Sequence, residues 1–218
     1  MSRRSHPRRI YGLFGAAFLA GLCFAAPAAA QIGGRNDAAA RTTIGGGANL
    51  RACGQAVQTG VLTDAAVAAC NQAIDEDRLT RLDRRAALLN RGVLHLRRRE
   101  GEAALADFDA AIALDADLAE AHLNRGAALV LLQQPGPAVA AITLALSLGV
   151  EEPYKAFYNR GAAREALGDL RGAYEDYSTA LEIHPHWAPA EEELARFVRG
   201  RQEHLAQLIA EDAQSGAQ

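Results

Sequence analysis

The sequence predicts an all-α fold, a solenoid of stacked helix pairs, and three observations carry that reading. The tripeptide Asn-Arg-Gly occurs at 90–92, 124–126 and 159–161, and a period of 34 to 35 residues is that of helix-turn-helix arrays. In register with those glycines, small residues recur at Ala104, Ala138 and Ala173 and again at Ala111, Ala145 and Ala180. Between the two small columns stands one bulky residue per unit: Phe108, Ile142 or Tyr177.

The first thirty residues read as an export signal. Arg3, Arg4, Arg8 and Arg9 precede an apolar stretch from Ile10 to Ala26, and Ala28-Ala29-Ala30 offers a small-residue cleavage site before Gln31. Gly12, Gly15, Gly21 and Pro27 interrupt the stretch and no stop-transfer charge cluster follows, which argues against a retained anchor. Leu22, large where a small residue is needed, argues against lipid attachment at Cys23. The expectation is a bacterial protein, periplasmic or secreted, cleaved after Ala30 and not inserted in the membrane afterwards. Residues 31–46, with Gly33-Gly34 and Gly45-Gly46, read as a flexible tether.

Cleavage changes the charge. Residues 1–30 hold four Arg and no acid, so 19 basic groups remain against 26 acidic ones, a net charge near −7. A surface of that sign repels phosphate backbones and anionic headgroups, which excludes nucleic acid and the membrane surface as partners. Cleavage also removes Cys23 and leaves Cys53 and Cys70, an even pair that an oxidising compartment would join in a disulfide. Lys155 is the sole lysine, and the bias towards arginine fits a GC-rich bacterial genome.

The columns resemble the tetratricopeptide repeat (TPR) family, whose 34-residue unit keeps small residues at positions 8, 20 and 27 and a bulky one at 24. The resemblance implies a right-handed solenoid. Its physical basis is close approach: antiparallel helices come nearer than the usual separation of about 8–10 Å only where the facing residues are Gly or Ala. Three units follow, 85–118, 119–153 and 154–187. The third matches best, with Gly168-Asp169 in its turn and Pro185 ending its second helix, where the others have Ala116 and Val150. The usual aromatic of position 4 is Leu88, His122 or Phe157.

Upstream, Gly54, Ala66, Cys70 and Ala73 fit the same columns as a degenerate unit, 47–84, in which residues 81–84 are extra. Such an atypical end repeat suits a solenoid, whose terminal helix has one face without a neighbour. Cys53 and Cys70 then occupy positions 7 and 24, which face each other. A bridge closing about seventeen residues would stabilise the unit by about 3 kcal/mol in the chain-entropy picture. Downstream, Leu194, Phe197, Val198, Leu205 and Leu208 form a helical apolar stripe that reads as a capping helix over 188–212.

No catalytic signature is present: there is no nucleophile elbow, no His-Glu-x-x-His pair and no phosphate-binding loop with its lysine. His184 and His186 flank Pro185 without a third metal ligand, and Asp107-Phe108-Asp109 reads as a buried Phe flanked by surface acids. The expectation is therefore no enzyme, no metal and no cofactor.

Two polar columns remain. Arg91, Arg125 and Arg160 share position 7, where Asp107 and Asp176 at position 23 are expected partners for the first and third; Ala141 leaves Arg125 to find another acceptor. Asn90, Asn124 and Asn159 share position 6, which in the TPR family faces the concave groove. Asparagine is a poor mid-helix residue, and ligand contact would explain its recurrence, as would simple duplication of a packing motif. Family members that clamp peptide carboxylates pair this asparagine with lysine at position 2. Here Lys155 stands at position 2 of the third unit, whereas Ala86 and Glu120 hold it in the others, so the full clamp is absent. The expected groove comprises Asn90, Asn124, Asn159 and Lys155 flanked by Leu89, Leu123 and Tyr158. The function expected is a non-catalytic periplasmic adaptor binding a protein or an extended peptide in the groove. The alternative is a scaffolding subunit of an envelope complex, docked through its convex face or tether.

Overall fold

The computed structural model describes residues 47–75 and 79–215; the expected export signal and tether lie outside them. Nine helices and no strand occur among the described residues. They pair in order: α1 (Ala48–Thr59) with α2 (Asp64–Asp75), α3 (Arg81–Arg97) with α4 (Gly101–Leu114), α5 (Ala119–Leu131) with α6 (Pro135–Leu148), and α7 (Pro153–Ala166) with α8 (Leu170–Ile183). The last helix, α9 (Ala188–Ser215), packs on α8 and runs three residues past the expected cap.

Local chemistry fixes the helix starts. Thr80 caps α3: its Oγ1 accepts from the Asp83 N–H at 3.1 Å, which satisfies one orphan donor of the first turn, and its hydroxyl donates to Asp83 Oδ2 at 2.8 Å. The residues expected as an insertion, 81–84, are thus the opening turn of α3. Pro135 and Pro153 begin α6 and α7, where a missing N–H costs nothing. Asp169 caps α8 through the Gly172 N–H at 3.0 Å.

Between paired helices the chain turns through a left-handed residue at one equivalent position in each unit. That residue is Arg99 (φ 64°), Gln133 (φ 57°) and Gly168 (φ 81°), so two of the three turns hold a side chain where glycine carries no steric penalty.

The small columns do what close approach requires. Ala104, Ala111, Ala138, Ala145, Ala173 and Ala180 are completely buried. A Cβ on Gly92 would come within 2.5 Å of Phe108 Cε1, one on Gly161 within 2.9 Å of Tyr177 Cε1, and one on Gly126 would collide with Ile142. The bulky residue of each second helix therefore rests directly on the glycine of the first.

The ends are held by different means. Cys53 and Cys70 form a disulfide between α1 and α2, both sulfurs sealed from solvent, and Arg97 donates from Nη1 to the Val57 carbonyl at 2.6 Å, tying α1 to α3. At the other end Phe197 stacks edge-on to Tyr177, with centroids 6.0 Å apart, and Arg196 reaches Glu165 at 2.6 Å. Leu194 packs with them. Val198, expected in the same stripe, is 48% exposed, because only one side of α9 has a neighbour. No helix among the described residues is long and apolar enough to cross a membrane.

Candidate functional site

The arginine column is scaffold. Arg91 grips Asp107 with Nε at 2.9 Å and Nη2 at 2.6 Å, and Arg160 grips Asp176 in the same way at 3.0 and 2.7 Å. Arg164 adds a further bond to Asp176 at 3.0 Å. Asp107 is consequently buried, a correction to its expected place on the surface beside Phe108; Asp109 does lie outside. Arg125, without an acid in its own unit, donates to Asp109 Oδ1 of the preceding unit at 2.6 Å.

The first helices of successive units touch one another, α1 with α3, α3 with α5 and α5 with α7, and this row is the inner wall of the stack. All seven residues expected to line it, Asn90, Asn124, Asn159, Lys155, Leu89, Leu123 and Tyr158, are buried. Asn90 lies opposite Gly54 of α1, and Tyr158 packs against Trp187 and Tyr177 with ring centroids 5.0 and 5.4 Å away.

Three of the seven, Leu123, Asn124 and Lys155, meet in one cleft where α5 and α7 come together. Its other walls are Val150, Glu151 and Glu152 from the connecting loop and Glu120 from the first turn of α5, and they leave a small cleft of about 20 Å³ that opens to solvent. Asn124 is 1% exposed, and neither its Nδ2 nor its Oδ1 has a hydrogen-bond partner; Nδ2 of Asn159 is likewise unpartnered. Buried amides in folded proteins are nearly always bonded, and each unmade bond costs about 1–3 kcal/mol.

The charges around Asn124 are unevenly matched. Lys155 donates to Glu152 Oε2 at 2.6 Å, and Glu152 Oε1 takes the Tyr154 hydroxyl at 2.7 Å. Burial, reinforced by that carboxylate, pushes the Tyr154 phenol above the usual tyrosine range. The Lys155 side chain is only 7% exposed, so the ammonium expected to face a ligand is already engaged. Glu120 accepts a single long bond, from the Glu151 N–H at 3.3 Å, and no basic side chain among the described residues pairs with Glu120 or Glu151. Sequence reasoning treated Glu120 only as a missing lysine and passed over Glu151-Glu152. The legible signal was an acid at position 2 followed by an acid pair just before Pro153.

Among the described residues no group of three His, Cys, Asp or Glu side chains could hold a metal ion. His184 lies against the Tyr154 ring at 4.6 Å and His186 pairs with Glu191 at 3.3 Å.

Helix pairing, the seating of a bulky residue on each unit's glycine, and the repeat columns together define a solenoid of the tetratricopeptide-repeat fold. It is similar to the first TPR of Spaghetti (RPAP3) bound to the HSP90 peptide SRMEEVD, with 26% identity and a TM-score of 0.50 over 54% of this chain and 93% of that one. The MamA crystal structure shares the fold at 21% identity, with a TM-score of 0.57 over 69% of this chain and 84% of MamA. In sequence, RNA polymerase II-associated protein 3 of Xenopus tropicalis is 35% identical over 102 residues; the match covers 46% of this chain and 15% of that relative's length. No family model matches the chain.

Proposed function

We propose that the chain is a non-catalytic periplasmic adaptor that holds an extended peptide or protein segment against its inner wall. The observation that carries this reading is the pair of buried, unpartnered amides of Asn124 and Asn159 on adjacent first helices. An amide offers both a donor and an acceptor, which complements a peptide backbone whatever its sequence. A neighbour of similar fold holding a bound peptide supports the same use of the scaffold. The composition of residues 1–30 supports export.

The test is proteolytic protection of the exported full chain by a pool of synthetic peptides, with osmotic-shock fractionation to locate the protein. Protection of the α5–α7 region, with the protein recovered in the shock fluid, is the expected outcome. Unchanged cleavage at every peptide concentration overturns the groove. A second reading, docking through the outside of the stack, draws on Leu167, Leu170 and Tyr174, large apolar residues left exposed around the last helix pair. Protection confined to that end would favour it.

A further inference from the structure

We infer that the cleft between α5 and α7 takes a cationic side chain, Lys or Arg, from the segment bound on the inner wall; the inference rests on the peptide-binding reading above. The base of the cleft is the Asn124 amide, fully buried and unpartnered at both ends, so something that both accepts and donates is missing from it. Its mouth is acidic. Lys155 and Glu152 neutralise each other at 2.6 Å, which leaves Glu120 and Glu151 without a cation. A carboxylate entering here would meet two like charges and no free ammonium, so the site rejects an acidic chain end.

A metal ion is the other cation to consider, but no cluster of metal-ligating side chains exists among the described residues. A cleft volume of about 20 Å³ has room for one group the size of a water molecule, so it admits the tip of a single side chain and no folded ligand. The cationic tip would donate to Glu120 and to Asn124 Oδ1, while Asn124 Nδ2 would donate to a carbonyl of the bound backbone. Both ends of the amide, and the uncompensated acid beside it, are then satisfied together.

The experiment uses the isotope-labelled full chain in its exported form. End-blocked Gly-Ser peptides carrying one central Lys, Arg, Gln or Glu are titrated at low ionic strength while the Asn124 side-chain amide resonances are followed. The Lys and Arg peptides should shift those resonances and bind about fivefold more tightly than the Gln peptide, with the Glu peptide weakest. Added salt should shrink the preference. The double substitution Glu120→Gln, Glu151→Gln should abolish it, with an unchanged melting temperature showing that the variant is folded. Equal affinity for all four peptides overturns the charge selection and leaves the peptide groove standing. A Lys preference that survives the double substitution overturns the cleft as its source. If no peptide moves the Asn124 resonances, both the inference and the groove fall.

Discussion

Gly126 lies directly beneath Ile142, so that a Cβ at this position would collide with the isoleucine and come within 3.3 Å of the Ala138 carbonyl oxygen. Gly126→Ala should therefore destabilise the protein although alanine is the better helix former by about 0.5–1 kcal/mol. Overpacking a sealed contact costs typically about 1–3 kcal/mol, which exceeds that gain. Ala138→Leu acts on the same contact and should lose a similar amount. Gly200→Ala on α9, where nothing lies within 4 Å, is the control and should stabilise by up to about 1 kcal/mol. Thermal melts of the three variants check the signs. If Gly126→Ala melted above wild type, the helix separation described for α5 and α6 would be wrong.

Reducing the Cys53–Cys70 bridge should cost about 3 kcal/mol, since it closes a loop of 17 residues in the unfolded chain. The loss should be concentrated in α1 and α2, because a solenoid's stability is close to a sum of neighbour terms. Hydrogen exchange with and without reductant should show those helices opening first while α5 to α8 stay protected. Two thiols alkylated in the purified protein without reductant would refute the bridge.

Alkali should act through the aromatic cluster. Burial, together with Glu193 near Tyr158 and Glu165 near Tyr177, pushes both phenols above the ordinary tyrosine range of about 10. The folded state thus keeps protons that the unfolded state releases. The stability this represents is complete below the unfolded pKa and falls away as pH rises beyond it. Phenolate absorbance and helical circular dichroism, followed upward from about pH 9, should change together for this pair. Phenolate formation by all four described tyrosines with the helices intact would contradict the packing of α8 against α9.

The repeat was legible in the sequence because its cause is steric and local: Gly92, Gly126 and Gly161 are fixed by Phe108, Ile142 and Tyr177 sixteen residues on. The arginine pairs inside single units were legible for the same reason. Arg125 was not, since Asp109 belongs to the preceding unit and only the stacking of α4 on α5 brings it near. Nor was the acidic cleft. Its members come from α5, a loop and α7, and Lys155 looked like a free ligand-facing charge until folding placed it on Glu152. A column on a repeat period reports what one unit needs, whereas the cleft exists only between units.

The Asn column supplies the sharpest test of function. Equivalent positions of stacked first helices are roughly 10 Å apart, and an extended peptide rises about 3.3 Å per residue, so adjacent Asn side chains would meet a bound backbone about every third residue. Replacing Asn124 and Asn159 with Ala removes two buried amides that have unbonded atoms. Helix propensity and relief of desolvation both favour the variant, against a small loss of packing, so its melting temperature should hold or rise. Affinity for a bound peptide should instead fall, by about 0.5–1.5 kcal/mol for each hydrogen bond lost. Calorimetric titration of wild type and double variant with one captured peptide separates the two effects. Higher stability with weaker binding is the signature of amides kept for a ligand at the expense of the fold. Higher stability with unchanged binding would make the Asn column a trace of repeat duplication and move the search for the binding surface to the outside of the solenoid.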